Sequence, residues 1–553
     1  MRKTLVLILS LILVFPAATV FAEYPGEEAG FKTLDFAPQI VFDEEASEFG
    51  YLGYKFVDEN GDEIQPQYDD IATFANLPSY YRNVNLTPVK NQGSVGCCWA
   101  FAFIGAMEAN LIKQGYHAER LDFSEAHLAY FAKNIRDSIN NDGPESIGSR
   151  AYTEGGNDFI ALAAIAKGSG VVSESVMPYE EYTKNLKEAP EYEAKAVDED
   201  YRFLCEAGVS SFKLINPANN SAIKQAIIQY GSVINTYHAP ETKEEASLYH
   251  NTPNAAYHCP ASENINANHA TLIVGWDDDY SKENFNEECR PQNDGAWIVR
   301  NSWGETYGEG GYFYLSYETE LFTTSALKAA YEEYDNNYGY TGGIFNSYSN
   351  VLTVYSNIFT ADSNEILEAV SFYAAEPAEV MVSVYKNVGN YPSNGELAFR
   401  ATLTFSGNYV KIPFSQGIEI NEGEKYSIII DGATVYCEPN TCEEYGVYTK
   451  NNYESWYYKD KVWYYGFNNL SIRAHTNENR PKITAQIRNN KIETNSKYNN
   501  NSILYIAQYM ENELVDVQIA SEATLNTAAT RYRVFSWDAD MNSTTGYFVE
   551  DEI

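Results

Sequence analysis

Gln92-Gly93-Ser94-Val95-Gly96-Cys97-Cys98-Trp99-Ala100-Phe101 is the stretch on which the reading of this chain turns. A glycine-containing loop delivers a cysteine to the start of an apolar segment. Residues 98–113 (CWAFAFIGAMEANLIK) are apolar nearly all round, which predicts a buried helix. That placement suits a nucleophile. The reactive form of cysteine is the thiolate, and an ordinary thiol with a pKa of about 8.5 is only slightly ionised near neutrality. The positive end of a helix dipole and a protonated histidine nearby both favour the anion. A lone helix cysteine would read as core packing, so the nucleophile reading needs partners.

The sequence supplies two. His269 stands in Asn268-His269-Ala270, at the start of the strand-like run ATLIVGW. Asn301 stands in Trp297-Ile298-Val299-Arg300-Asn301-Ser302-Trp303-Gly304, followed by Tyr307-Gly308-Glu309-Gly310-Gly311-Tyr312. A neutral amide accepts a hydrogen bond from one ring nitrogen, fixes the tautomer and aims the other nitrogen at sulfur. The order Cys98, His269, Asn301 in these contexts resembles the papain family of cysteine peptidases, over residues 77–320.

The resemblance implies roles residue by residue. Cys98, with Trp-Ala-Phe after it, matches the nucleophile, and Cys97 falls where the family usually has serine. Gln92 matches the side-chain donor of the oxyanion hole, with the Cys98 backbone N–H as the other donor. His269 matches the base and later acid, Asn301 the orienting group, and Trp303 the indole that shields their hydrogen bond. Gly155 and Gly156 match the glycine pair that binds extended substrate by its backbone, and Asn268 lies beside the substrate pocket. Ser124-Glu125 resembles the start of a second helix behind the site, with Glu125 structural. One departure is specific. The family's disulfide beside the nucleophile would need cysteines where this chain has Val95 and Thr153, so both partners are missing together.

Working outward, further helices are expected near 124–133, 157–167 and 221–230. Strands are expected at SVINTYH, ATLIVGW, GAWIVRNSW and GYFYLSY, giving an α+β domain over 77–320. Residues 321–480 read as all-β, with runs such as EVMVSVYK and EKYSIIIDG, and the expected closure is a two-sheet sandwich. Between 330 and 478 this region resembles the lectin-like β domain attached to some bacterial papain-like peptidases. A polar stretch at 486–502 and the strands SILYIAQY, ELVDVQIA and YRVFSWD make 481–553 a linker plus a small β module.

The N-terminus has Arg2 and Lys3, an apolar run from Leu5 to Phe15 and small residues up to Ala22. Residues 1–22 therefore read as a signal peptide and 23–76 as a short propeptide or extension. No later segment is apolar for long enough to span a bilayer once the signal is removed. The net charge of −39 sets aside nucleic acid and anionic membrane as partners. Export permits disulfides, and the seven cysteines (97, 98, 205, 259, 289, 437, 442) suggest Cys437–Cys442 and Cys259–Cys289 as pairs. Cys97 is left open, with Cys205 one partner to consider.

No cofactor is required for this chemistry. Calcium is considered as a structural ion, in the β domain or at Asp277-Asp278-Asp279, where a solvated acidic turn is the simpler account. The aromatic run YESWYYKDKVWYY at 453–465 offers either strand packing or a sugar platform, so a cell-surface glycan or protein is a partner to weigh. The expected function is a secreted endopeptidase acting on polypeptide. The alternatives are a thiol transpeptidase on the same fold, or an adhesin whose peptidase domain is vestigial.

Overall fold

The computed structural model describes residues 39–133, 152–188, 197–341 and 354–478, apart from short gaps inside these ranges. It also describes six strands between 483 and 552 and the pair Val20–Phe21. The rest of the signal segment lies outside the described residues. None of the described helices is long and apolar enough to cross a membrane.

The apolar segment after the glycine loop forms helix α1, Cys98–Lys113, buried from Cys98 to Leu111. It packs on the strands His269–Asp277 and Thr323–Ala330. Gly105 permits the approach, because a Cβ there would come within 2.7 Å of Leu272 Cδ1. A helix-interior glycine costs about 1 kcal/mol relative to alanine. Here that cost is offset by close packing of helix on sheet. Helices α2 (Glu125–Lys133) and α3 (Asp158–Ala164) pack with α1. The expected helix at 157–167 stops at Ala164 and widens into a π turn, Ile165–Ser169. Asn157 caps α3, its side chain accepting from the Ile160 N–H at 3.0 Å.

The sheet behind α1 is antiparallel. Val233–Tyr237 pairs with His269–Asp277, which pairs with Ala296–Arg300, which pairs with Tyr312–Ser316. Its continuation is unexpected. Gly208–Ile215 pairs with Thr323–Ala330 and, through Phe212↔Tyr409 and Ser211↔Val410, with Tyr409–Ile420 of the following β region. The α+β region and the β region that follows it therefore share one sheet. A second sheet runs Ser455–Lys459, Val354–Thr360, Lys425–Asp431, Ala378–Lys386, Glu396–Phe405. Leu367, Phe372, Val380, Val382, Val384, Ile428 and Ile430 form the core of this region.

The aromatic run resolves into the hairpin Ser455–Lys459 and Val462–Tyr465. Tyr458 and Trp463 are buried, as strand packing requires, while Tyr457 and Tyr464 stack at 5.4 Å and are half-buried. The polar stretch near 486 belongs to a second compact unit, as the hairpin Ile483–Arg488 and Lys491–Ser496. In the same unit Ile503–Met510 pairs on one side with Glu513–Ile519 and on the other with Arg531–Trp537.

Two pairings expected from the cysteine count have different outcomes. Cys259 and Cys289 are buried free thiols, donating to the carbonyls of Pro260 at 3.8 Å and His258 at 3.5 Å. The Cys442 side chain, and with it the Cys437–Cys442 pair, lies outside the described residues. At the acidic turn, Asp278 is engaged by Lys224 and by the Tyr317 hydroxyl at 2.7 Å. No group of three or more His, Cys, Asp or Glu among the described residues could hold a metal ion.

Candidate active site

Cys98 opens α1, and the residue before it, Cys97, makes no side-chain cap. The first N–H groups of a helix have no partner within it, so an uncapped start leaves them for something else. Here the Cys98 N–H points at the carbonyl of Phe49, 3.4 Å away. The Gln92 side chain meets the same oxygen, Nε2 to O, at 3.3 Å. Gln92 is itself held: Nε2 donates to the Val95 carbonyl at 3.0 Å and Oε1 accepts from the Ser302 hydroxyl at 2.6 Å. Sequence reasoning missed Ser302 as the group that orients Gln92. Its position beside Asn301 was the available signal.

His269 starts its strand and Asn301 follows the end of the strand Ala296–Arg300, so strand pairing brings them together. Asn301 Oδ1 lies 2.9 Å from His269 Nε2 and accepts from the Ser302 N–H at 2.8 Å. His269 Nδ1 is buried without a hydrogen-bond partner. Trp303 stacks on the imidazole, with ring centroids 4.8 Å apart at 21°. Behind these groups Lys90 binds Glu125 at 2.9 Å and Asp122 at 2.8 Å, in a pocket that also holds Glu108. Burial pushes Glu125 up to about 7 against the opposing pull of Lys90. Glu125 therefore sits in a packed ionic cluster.

Val95 is buried and its carbonyl binds Gln92, while the Cys97 thiol donates to the Tyr152 carbonyl at 3.4 Å. That bond ties the nucleophile loop to its neighbour close to where the missing disulfide would lie.

The cleft is occupied by the chain's own residues 46–52, part of the 23–76 stretch read from sequence as a short propeptide or N-terminal extension. Gly156 donates its N–H to the Gly50 carbonyl at 3.0 Å and accepts from the Leu52 N–H at 2.8 Å, in parallel register with Tyr51. Asn157 Nδ2 donates to the Leu52 carbonyl at 2.9 Å. The Ser47 hydroxyl donates to the Asn268 carbonyl at 2.5 Å. The Phe49 ring lies 5.2 Å from that of His269 and 5.5 Å from that of Trp303. Gly50 is required at its place. Its φ is +86°, and a Cβ would fall 1.9 Å from the Gly96 carbonyl oxygen. Gly155 and Gly156 thus face an extended backbone. Asn268 meets it through its main chain, because its side chain is spent on Ala239 and Glu241.

Covering the cleft changes the electrostatics. Cys98 is 0% exposed and burial pushes its thiol up to about 12. Burial pulls His269 down to about 4, with Asn301 partly offsetting. Both groups are held neutral, opposite to the lowering of the thiol expected from helix dipole and imidazolium. The reason is dielectric: ions lose hydration when a peptide seals them in.

Known proteins resemble this chain over both of its larger regions. Residues 79–334 match the papain family cysteine proteases and residues 333–475 match the lectin like domain. Cathepsin 7 of Mus musculus is 28% identical over 232 residues, covering 42% of this chain and 57% of that protein. Cathepsin K of Mus musculus is 27% identical over 239 residues, 43% and 58%. The chain thus spans little more than half the length of these curated relatives.

Among solved structures, the clostridial cysteine protease Cwp84 after propeptide cleavage is 25% identical. It has a TM-score of 0.59, over 72% of this chain and 100% of that one. The structure of the cysteine protease and lectin-like domains of Cwp84, a surface layer associated protein of Clostridium difficile, is 23% identical. It has a TM-score of 0.60, over 81% and 99%. Residues 79–334 thus form a papain family cysteine protease domain, followed at 333–475 by a lectin like domain.

Proposed function

We propose that this chain is a secreted cysteine endopeptidase made in a latent form, with residues 1–22 removed at export and 23–76 serving as propeptide. Cys98 is the nucleophile, His269 the base and then the acid, and Asn301 the group that fixes the imidazole. Gln92 Nε2 and the Cys98 N–H receive the oxyanion. One observation carries this reading: the Phe49 peptide carbonyl lies 3.4 Å from the Cys98 N and 3.3 Å from Gln92 Nε2. Those two donors converge on a peptide oxygen beside the sulfur-bearing residue, which is what acyl transfer needs.

In the uncovered site the Cys98 thiolate adds to the scissile carbonyl. His269 protonates the leaving amine, the C–N bond breaks and a thioester remains. Water, deprotonated by His269, then releases the acid. Trp303 keeps solvent from the His269–Asn301 bond. With residues 46–52 in place the cycle does not start. Burial pushes the thiol up to about 12, which keeps it protonated near neutrality.

Secretion is supported by the charged and apolar N-terminal segment. A cell-surface setting is supported by the likeness to Cwp84, described as surface layer associated. The lectin-like domain then serves to hold the enzyme near a surface glycan or protein. Catalysis needs no cofactor.

An epoxide thiol probe followed by peptide mapping tests this. Cys98 is expected to be modified once the N-terminal segment has been clipped, to resist in the intact chain, and to lose reactivity in His269→Ala. Modification at Cys97 alone would overturn the assignment.

A further inference from the structure

Asn301 holds His269 with the oxygen of its amide, and the nitrogen end of that amide is the part of the site still short of a partner. Asn301 Nδ2 and the Tyr307 hydroxyl are both enclosed, and neither closes a hydrogen bond. The two face one another, an amide donor presented to a phenol oxygen. The backbone keeps the two residues together. The Gly311 carbonyl accepts from the Asn301 N–H at 3.0 Å, and the Gly311 N–H donates to the Tyr307 carbonyl at 2.7 Å. The Tyr307 ring is also fixed, standing edge-on to Trp303 with centroids 4.8 Å apart and to Phe313 at 5.8 Å. Trp303 in turn stacks on His269, so the hydroxyl is carried by the next ring behind the imidazole.

A buried amide N–H without an acceptor costs free energy, and Tyr307 is the group placed to accept it. Why the bond stays open follows from the state of the imidazole. An amide that accepts a stronger bond at its oxygen becomes a better donor at its nitrogen. Under the covering segment His269 is held neutral, and its pull on Asn301 Oδ1 is weak. An imidazolium donates a charge-assisted bond to the same oxygen and polarises the far N–H towards Tyr307. His250 meets the Tyr307 ring edge-on at 6.1 Å, and burial pulls it down to about 4, so it adds no charge near neutrality.

We propose that Tyr307 is a positioning residue that acts through Asn301: its hydroxyl accepts from Asn301 Nδ2 when His269 is charged and keeps the amide oxygen on the imidazolium. The inference rests on the reading of the cleft as a peptidase site. A turned amide would set Nδ2 against the His269 N–H, donor against donor. The Ser302 N–H opposes that turn by donating to Oδ1 at 2.8 Å, and Tyr307 opposes it from the other end. A bond that strengthens with charge on His269 contributes to kcat and leaves KM alone.

The test uses the full chain after its N-terminal segment has been clipped between 58 and 76 by limited proteolysis, with a peptide substrate. Tyr307→Phe keeps the ring contacts and removes the acceptor. Its kcat is expected to fall about five-fold with KM unchanged. With less support for the imidazolium, His269 loses its proton at lower pH, so the basic limb of the pH profile should move down by about half a unit. Tyr257→Phe is the control, since that hydroxyl donates to the His238 carbonyl at 2.5 Å and should leave both readouts unmoved. In an Asn301→Ala background, adding Tyr307→Phe should change kcat no further. Melting curves confirm that each variant is folded. An unmoved kcat and basic limb in Tyr307→Phe, or a five-fold loss that persists in Asn301→Ala, overturns the inference and leaves the peptidase reading standing. No cleavage of any peptide by the parent, with Cys98 labelled, defeats the peptidase reading itself.

Discussion

Two buried asparagines, one beside the cleft and one in the lectin-like domain, have the same chemistry and opposite degrees of satisfaction. Asn357 donates through Nδ2 to the carbonyls of Leu470 at 3.1 Å and Ile472 at 2.8 Å. Its Oδ1 accepts from the Ser455 hydroxyl at 2.8 Å, and that hydroxyl accepts from the Leu470 N–H at 3.0 Å. Asn301 bonds through its oxygen to His269 and Ser302, while its Nδ2 faces the Tyr307 hydroxyl without closing a full hydrogen bond and the Nδ1 of His269 has no partner. A polar network that serves the fold is closed on itself. One that serves chemistry keeps groups open for a proton or a substrate.

The sharpest way to break that comparison is to cut both amides to alanine. In Asn301→Ala the imidazole loses its tautomer lock, and kcat on a peptide should fall by about 10² to 10³-fold with little change in melting temperature. In Asn357→Ala two carbonyls and a hydroxyl lose their partner at once. Urea unfolding should show a loss of about 2–4 kcal/mol, with Cys98 labelling per folded, clipped molecule unchanged. If both variants lost stability equally, the cleft asparagine would be as structural as its counterpart.

A second pairing, between segment and cleft, sharpens the same point. Tyr51 lies outside residues 79–334, so changing it leaves the reactive groups intact. Removing a buried aromatic side chain costs about 3 kcal/mol or more. Tyr51→Ala should therefore raise the rate of Cys98 labelling in the intact chain by roughly 100-fold. An unchanged rate would mean that the backbone ladder to Gly156 holds the segment alone.

Much of this was legible in the sequence, and the illegible parts share a cause. Helix α1 was read at 98–113 and stands at Cys98–Lys113, because a largely apolar run of sixteen residues is too long for an ordinary strand. EVMVSVYK was read as a strand at 379–386 and is found within Ala378–Lys386. His269 and Asn301 were paired by local context and are in contact. Residues 46–52 carry no periodicity, since their conformation is imposed by Gly156, Asn268 and Gln92 from across the cleft. The pairing of Phe212 with Tyr409 was equally hidden: a strand's pattern shows which face is buried but not which neighbour it joins. Ser302 was passed over because its role runs through Gln92, 210 positions away.

The smallest effect expected is a pH dependence in which two buried groups oppose one another. Under the segment His269 is held down to about 4 against an ordinary 6.5, so the uncovered site takes up a proton first. Between those values acid draws the segment off. Asp158 works the other way. It is raised to about 6 from 3.8 while covered, so the covered state takes its proton first and acid tightens docking over that window. The windows overlap and are of similar width, so segment opening in the parent chain should change only a few-fold between pH 7 and pH 4.5. In Asp158→Asn the opposing group is gone and opening should steepen towards about tenfold per pH unit below 6.5. Hydrogen exchange of the Gly156 and Leu52 amides, corrected for the intrinsic pH dependence of exchange, reads this directly. Identical slopes in parent and variant would show that Asp158 does not sense the segment.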